Sequence, residues 1–252
     1  LPAFKVIFDE LIISKRINKK NSINKKNTKL DQYIFKNFDP KKLKLNNLSF
    51  SYDREKYNMI FKDINLTFSK GQITGLIGKS GSGKSTIANI ISGLIEEYDG
   101  KIEINDNSDF NINILRRSVG YVPQITNLLD DSIVNNICFG ILDENIDYKK
   151  LDRILEEVEL KELMNSLDKG ISTIVGDQGL TLSGGQRQKI ALARTLYLDP
   201  KIIIFDESTN SLDKLTEKQF FKNIVALKKN KIVICITHDL GLSEYFDQIY
   251  DL

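Results

Sequence analysis

Residues 78–85 have the types and spacing of a loop that binds phosphate. Their sequence, GKSGSGKS, fits the pattern G-x-x-x-x-G-K-[ST] and stands between an apolar run, QITGLI, and a stretch with helical spacing. Backbone N–H groups approach phosphate oxygens closely only where no Cβ atom intervenes, as at Gly78, Gly81 and Gly83. Lys84 is suited to the terminal phosphates of a nucleotide, and the Ser85 hydroxyl is suited to Mg²⁺. The alternative is an ordinary glycine turn.

Two carboxylates, Asp206 and Glu207, end the apolar run KIIIFDE. Open α/β sheets collect ligands at the carboxyl ends of their strands, so this pair is placed where a phosphate site would need it. We expect Asp206 to hold Mg²⁺ and Glu207 to orient or deprotonate an attacking water molecule. The competing interpretation is that an acidic pair at a strand end only caps the next helix.

Three further side chains are candidates for the same site. His238 is the single histidine of the chain and follows another apolar run, in ICITHD, although a lone histidine is more often a surface or core residue. Gln124, in VGYVPQ, also follows a strand, where its amide could contact Mg²⁺ or the attacking water, or could belong to an ordinary loop. The ring of Tyr52 precedes the phosphate loop and could stack on a base or pack in the core.

The elements that must position these residues alternate between β-branched apolar runs and helical stretches. LKLNNLSFSY, DINLTFSK and QITGLIG read as strands, and KIIIFDE and KIVICITHD flank a helical run, KLTEKQFFKNIVALKK. This alternation predicts an α/β fold. Between them, the segment at about 125–198 has mostly helical character and is predicted to be an inserted helical subdomain.

Composition favours an ordinary globular domain with a basic segment before it. The 252 residues carry a net charge of +2, which gives no general signal for nucleic acid or membrane. Two cysteines exclude a disulfide framework and suit a reducing compartment. Residues 1–14 have amphipathic helical spacing, and residues 15–41, rich in Lys and Asn, are predicted to be a flexible linker that could also lie beside an anionic membrane face.

A second glycine motif, LSGGQ at residues 182–186, opens a helical stretch about a hundred residues after the phosphate loop; we call it the signature loop. A glycine pair that opens a helix, here Gly184 and Gly185 after Ser183, usually binds an anion. With this motif in place, the chain from about residue 43 to its end resembles the ATP-binding-cassette (ABC) family. The residues that carry the resemblance are Tyr52, the phosphate loop, Gln124, the signature loop, Asp206, Glu207, Asp213 in SLD and His238.

The resemblance implies a P-loop NTPase (RecA-like) core with a mixed sheet, an antiparallel β subdomain and the helical insertion, all within residues 42–252. It implies ATP and Mg²⁺ as ligands, with Glu207, His238 and Gln124 catalytic and Ser85, Gln124 and Asp206 at the metal. The implied nucleotide-binding residues are Tyr52, Gly78, Lys79, Ser80, Gly81, Ser82, Gly83, Lys84, Ser85, Thr86, Ser183, Gly184, Gly185, Gln186 and Asp213.

In this family two cassettes form a head-to-tail sandwich, in which the signature loop of one covers the ATP of the other. The resemblance therefore implies a second cassette as partner, identical or different, and a transmembrane domain that residues 1–14 would end. VGDQG at residues 175–179 resembles the exporter segment that contacts such a domain, although Asp239 stands where exporters more often carry arginine. We expect a location at the cytoplasmic face of the inner membrane, and the subfamily most resembled flips lipid-linked oligosaccharides.

Two other classes of protein compete with this interpretation. A soluble cassette that acts on nucleic acid or the ribosome would be expected to carry a basic face with aromatics, but only the linker is basic, so no nucleic acid is expected. A phosphotransferase or GTPase would need an acceptor site or a guanine-reading motif, and it would leave the signature loop without a purpose. The start without Met and the early end after His238 suggest a piece of a longer protein.

Overall fold

The structure, a computed structural model, describes residues 37–53, 58–177, 180–209 and 214–252. The predicted amphipathic helix at 1–14, most of the linker at 15–41 and Asp213 lie outside the described residues. The end of VGDQG, residues 178 and 179, lies outside them as well. From Asp39 to Leu252 the chain forms one compact unit.

A five-stranded sheet forms the centre of this unit, because its three middle strands are apolar enough to be covered on both faces. Three of them, the runs ITGLI, IIIFD and IVICI, are buried at every residue. The order is β10-β3-β9-β8-β5, and the described pairings in this sheet are all parallel. Its strands are β3 (Ile73–Ile77), β5 (Val119–Val122), β8 (Ile202–Asp206), β9 (Ile232–Ile236) and β10 (Gln248–Asp251).

A separate antiparallel sheet is formed by β1 (Lys42–Phe50), β2 (Phe61–Ser69) and β4 (Asp99–Ile104), in the order β2-β1-β4. Buried residues alternate with partly exposed ones along the first half of β1, as expected of a strand with one covered face. The predicted α/β core with an antiparallel β subdomain is therefore confirmed. The mixed character belongs to the two sheets together rather than to the central sheet.

Helices or 3-10 turns lie between successive strands of the central sheet, and most of the helices from residue 125 to 198 form a helical layer. This region also contains a short ladder of β6 (Asp131–Ser132) with β7 (Ile174–Val175). The helices are α1 (Lys84–Ile91), α2 (Ile112–Ser118), α3 (Ile133–Ile137), α4 (Tyr148–Glu157), α5 (Lys161–Ser166), α6 (Gly184–Tyr197) and α7 (Lys214–Leu227), with 3-10 turns at Asp143–Asn145, Gly170–Ser172, Lys228–Asn230 and Leu240–Tyr245.

One apolar cluster joins the helical layer to the central sheet. It includes Leu155 of α4, Leu192 of α6 and Phe205 of β8, and both cysteines, Cys138 and Cys235, are buried in it. Because burial disfavours the charged thiolate, the pKa of each thiol is raised. Among the described residues, no helix is both long enough and apolar enough to cross a membrane.

Candidate functional site

The phosphate loop connects the buried strand β3 to helix α1, as the sequence predicts. Gly78, Gly81 and Gly83 have φ angles of 146°, 85° and 95°, a region that residues with a Cβ rarely adopt. A Cβ on Gly83 would lie 2.7 Å from the Ile60 side chain. Glycine is therefore needed for the turn itself, and at Gly83 also for the close approach of a neighbouring residue.

Lys84, the first residue of α1, has its ammonium group held against the loop. Its Nζ donates to the main-chain oxygens of Gly78 and Lys79, at 2.9 and 2.7 Å, and to the Ser82 hydroxyl at 3.3 Å. The residue is only 5% exposed, so the stem of the side chain is packed and the charge is fixed at the mouth of the loop. A fixed cation next to free helix N–H groups is an arrangement that attracts phosphate.

Tyr52 projects beside this loop, and the alternative that it packs in the core is wrong. The residue is 66% exposed. Its ring meets Phe50 edge-on at 4.8 Å between centroids, and its hydroxyl lies 3.2 Å from the Thr86 hydroxyl. An aromatic face fixed in this way is available for stacking on a base.

Asp206, at the end of β8, is brought directly to the phosphate loop. Its Oδ1 accepts a hydrogen bond from the Ser85 hydroxyl at 3.2 Å, and its Oδ2 accepts one from the Tyr121 hydroxyl. The Ser85–Asp206 hydrogen bond places a hydroxyl and a carboxylate side by side, and the sequence predicts both groups at a divalent cation. The sequence interpretation did not identify Tyr121.

Glu207 follows Asp206 with a left-handed backbone, at a φ of 47°. Such a conformation is strained for a residue with a Cβ, and here the hydrogen bond from Glu207 N to Ile236 O, 2.9 Å long, holds it in place. The reversal turns the side chain out of the strand direction. Strained backbone of this kind is concentrated at functional sites.

The two remaining candidates both meet the Glu207 carboxylate. Gln124 Nε2 donates to Glu207 Oε2 at 3.0 Å, and His238 Nδ1 lies 3.6 Å from Glu207 Oε1. Gln124 follows β5 and His238 follows β9, so the parallel order of the sheet brings their carboxyl ends to one edge. With its side chain 61% exposed, His238 is not a core residue, and the site roles of Gln124 and His238 stay predictions.

One cleft of about 350 Å³ unites most of these residues. Within the described residues, its lining comprises Tyr52, Ile60, Ser80, Gly81, Gly83, Lys84, Ser85, Thr86, Gln124, Asp206 and Glu207.

The polar side chains at this cleft suit Mg²⁺, which takes some of its ligands from phosphate and water, better than a metal whose ligands all come from the protein. The described residues contain no group of three or more His, Cys, Asp or Glu side chains that could hold a metal. The Ser85 hydroxyl, the Asp206 carboxylate and the Gln124 amide would supply oxygen ligands, which Mg²⁺ prefers, and in nucleotide sites Mg²⁺ takes its remaining ligands from phosphate and water.

The signature loop is absent from the residues that line this cleft. Ser183 and Gln186 form a reciprocal cap at the N-terminus of α6: Ser183 Oγ accepts from Gln186 N at 3.2 Å, and Gln186 Oε1 accepts from Ser183 N at 2.9 Å. Gly184 and Gly185 begin the helix. Arg187 supports the loop by donating to Leu182 O at 2.6 Å.

A second residue that the sequence interpretation missed, Gln188, ties this helix to the cleft. Its amide nitrogen donates to the main-chain oxygen of Gln124 at 3.0 Å, and its amide oxygen accepts from the Thr126 hydroxyl at 3.2 Å. It is 2% exposed. The one sequence signal for Gln188 was its position as a polar residue on the apolar face of the helix.

Comparison with known proteins gives a consistent result. The sequence model of the family described as ABC transporter matches residues 61–210. The mitochondrial iron-sulfur clusters transporter ATM1 of Candida glabrata is 35% identical over 82% of this chain and 28% of its own length. An ATP-dependent lipid A-core flippase of Pseudoalteromonas translucida is 36% identical over 82% of this chain and 36% of its own length.

A solved structure gives the same family. The structure of a bacterial Atm1-family ABC exporter with ATP bound matches 84% of this chain and 37% of that chain, with a TM-score of 0.76 and 31% identity. The chain thus spans about a third of the length of these relatives. The family match, together with the phosphate loop, strand-end carboxylates and signature loop in one fold, shows that the chain belongs to the ABC transporter family.

Proposed function

We propose that this chain is the ATP-driven motor of an exporter and that its own residues perform hydrolysis in the cleft at the phosphate loop. The observation that carries this proposal is the convergence on Glu207 of Gln124 and His238, beside the Ser85–Asp206 pair. Tyr52 stacks on the adenine, and the phosphate-loop N–H groups with Lys84 hold the triphosphate. Ser85, Asp206 and Gln124 hold Mg²⁺, which when bound neutralises charge on the phosphate oxygens.

Glu207 acts as the base in this mechanism. It takes the proton of the attacking water, while the Gln124 amide orients its carboxylate and His238 lies on the other carboxylate oxygen. The left-handed backbone of Glu207 fixes the direction from which the carboxylate reaches the water. His238 senses the γ-phosphate, since its side chain is 61% exposed and can turn toward that group.

We further propose that the signature loop serves a second copy. Its capped N-terminus opens a 14-residue helix, and Ser183, Gly184 and Gly185 remain partly or fully exposed. Two copies placed head to tail would set this end of α6 against the triphosphate in the partner cleft, where the positive end of the helix favours negative charge. Asp213 of the SLD segment is proposed to contact the same interface.

A transmembrane domain is the proposed second partner. Exposed apolar side chains lie on the helical layer, at Ile125, Leu129, Phe139 and Ile174. Backbone pairing of β6 with β7 holds the segments of Leu129 and Ile174 together. Apolar side chains exposed near one another mark interaction sites, and the VGDQG segment begins at the same ladder.

Asn136, which is fully buried, holds in place the segment that carries the exposed Leu129. Its side chain exchanges hydrogen bonds with the main chain of Leu129, and it accepts from Arg194 of α6. A shift of the signature helix would therefore move the exposed apolar residues with it. We propose that contact between these apolar residues and the transmembrane domain couples ATP binding to transport. We further propose that the chain lies at the cytoplasmic face of the inner membrane and that the cargo is a lipid or lipid-linked oligosaccharide.

Complementation between two inactive variants tests the sandwich. Lys84→Ala removes the phosphate-binding cation, whereas Ser183→Asp keeps a residue that caps helices well but sets a negative charge against the triphosphate. Each variant alone should lose most of its ATP hydrolysis. An equimolar mixture of the two variants should regain about a quarter of the wild-type rate, because about half of the dimers are mixed and each mixed dimer holds one intact site of two. Ser183→Asn, a neutral cap, is the control for the charge.

The result that would contradict the sandwich is a mixture no more active than its components, at protein concentrations where the wild type hydrolyses ATP. Full activity of Ser183→Asp alone would also contradict it.

A further inference from the structure

The Asp206 carboxylate has a protein hydrogen-bond donor on each oxygen. Ser85 reaches Oδ1 from the phosphate loop, and the Tyr121 hydroxyl reaches Oδ2 from the neighbouring strand β5. Strands β5 and β8 are parallel, with Tyr121 opposite Ile204, so the tyrosine lies one side-chain repeat before the carboxylate. Asp206 is 7% exposed, and its orientation therefore depends on these two donors.

Tyr121 presents its hydroxyl to Asp206 as a hydrogen-bond donor, because an ionised carboxylate can only accept hydrogen bonds. A neighbouring strand is also a rigid platform, since β5 pairs with β8 over all four of its residues.

We propose that Tyr121 is a positioning residue for Mg²⁺: by holding Asp206 Oδ2, it fixes the carboxylate plane so that the oxygen beside Ser85 faces the metal. This inference rests on the proposed role of Asp206 at Mg²⁺. Rotation about the last bond of an aspartate side chain is only weakly restricted, so a carboxylate with one donor would sample many orientations. Mg²⁺ demands near-ideal octahedral geometry, which makes that orientation costly to lose.

Tyr121→Phe isolates the hydroxyl, because the ring and its packing remain. Binding of ATP to the chain is measured by calorimetry once in Mg²⁺ and once in EDTA, and the ratio of the two affinities gives the gain due to the metal. We expect Tyr121→Phe to leave the affinity in EDTA unchanged and to reduce the gain by about 10-fold, at the lower end of the loss caused by removing a residue that orients a metal ligand.

Two further variants make the outcome decisive. Tyr98→Phe, which removes a hydroxyl from another half-buried tyrosine outside the nucleotide cleft, should change neither affinity. Asp206→Asn should abolish the gain if Asp206 holds the metal. If Asp206→Asn keeps the wild-type gain, the proposed metal role of Asp206 is wrong.

The inference about Tyr121 fails by itself in two cases. In the first, Asp206→Asn loses the gain but Tyr121→Phe keeps all of it. In the second, Tyr121→Phe weakens binding equally in Mg²⁺ and in EDTA, which is the result expected of a residue that only supports the fold.

Discussion

The side-chain amide of Gln188 donates to the main-chain carbonyl of Gln124 across 3.0 Å, although 64 residues separate them. Gln188 belongs to the helix that begins with the signature loop, and the side chain of Gln124 contacts the proposed base Glu207. One part-buried hydrogen bond therefore connects the helix proposed to face a partner's ATP to the loop proposed to serve this chain's own nucleotide site.

Gln188→Leu is expected to destabilise the fold by about 1–3 kcal/mol, because it leaves the Gln124 carbonyl and the Thr126 hydroxyl without their buried partner. Urea unfolding measures this change. Asn165→Leu, at an exposed position of α5, should change the free energy of unfolding by less than about 0.5 kcal/mol. Equal free energies of unfolding for Gln188→Leu and Asn165→Leu would show that the Gln188–Gln124 hydrogen bond does not stabilise the Gln124 loop.

Glu207→Gln is expected to reduce ATP turnover by about 10²–10⁴-fold, the usual contribution of a general base, while ATP binding is retained. The amide keeps the size of the side chain but cannot accept a proton from water. Steady-state hydrolysis and nucleotide binding are measured on the same preparation. Glu162→Gln, at an exposed position of α5, is the matched control and should hydrolyse ATP normally. If Glu207→Gln hydrolysed ATP at the wild-type rate, another residue would be the general base.

Two glycines of the phosphate loop should differ in their tolerance of alanine. Both Gly81 and Gly83 have positive φ angles, so each alanine is expected to cost about 1–2 kcal/mol through the backbone alone. An added Cβ on Gly83 would also meet Ile60 and Phe61 at 2.7 and 2.8 Å, whereas nothing lies within 4 Å of one on Gly81. Without nucleotide, Gly83→Ala should therefore unfold at a clearly lower urea concentration than Gly81→Ala. A Gly81→Ala variant that unfolds first would contradict the geometry.

Asp239 should give the fold an acid-sensitive contribution. The hydrogen bond from Lys214, then that from Gly241 N, lower the pKa of its carboxyl below the ordinary 3.8. A lowered folded pKa adds stability that is present above 3.8 and is lost as the pH falls through the folded value. The wild type should therefore exceed Asp239→Asn in free energy of unfolding at neutral pH, and this difference should vanish in acid.

The size of that difference is at most about 1 kcal/mol, because Lys214 is largely exposed and solvent screens the pair. Unfolding measured from pH 7 to pH 3, repeated at high salt, checks the sign and the screening. If the difference in free energy of unfolding between the wild type and Asp239→Asn grew as the pH fell, the lowered pKa of Asp239 would be contradicted.

The phosphate loop and the strand-end carboxylates could be predicted from the sequence because each depends on local chemistry. Glycine spacing sets the turn before α1, and a short β-branched apolar run favours a strand in the middle of a covered sheet. Once the strands were identified as parallel, the common edge where Gln124, Glu207 and His238 meet followed from the topology.

Contacts between distant side chains could not be predicted in this way. The Tyr121–Asp206 bond depends on which strand lies next to β8, and the burial of Gln188 depends on the angle of α6 against the Gln124 loop. The exposure of Tyr52 likewise follows from tertiary placement, since an aromatic residue after an apolar strand fits a core equally well. Helix α2 was also missed; its start depends on one side-chain cap, Asn111, within a polar stretch.

The burial of both native thiols has a practical consequence for spectroscopy. Cys138 and Cys235 are 2% and 1% exposed and are the only cysteines in the sequence, so a maleimide dye should react slowly with the folded wild type. A single cysteine introduced at an exposed position would then become the preferred labelling point without removal of the native pair. Energy transfer between dyes on two copies could follow their approach when ATP is added.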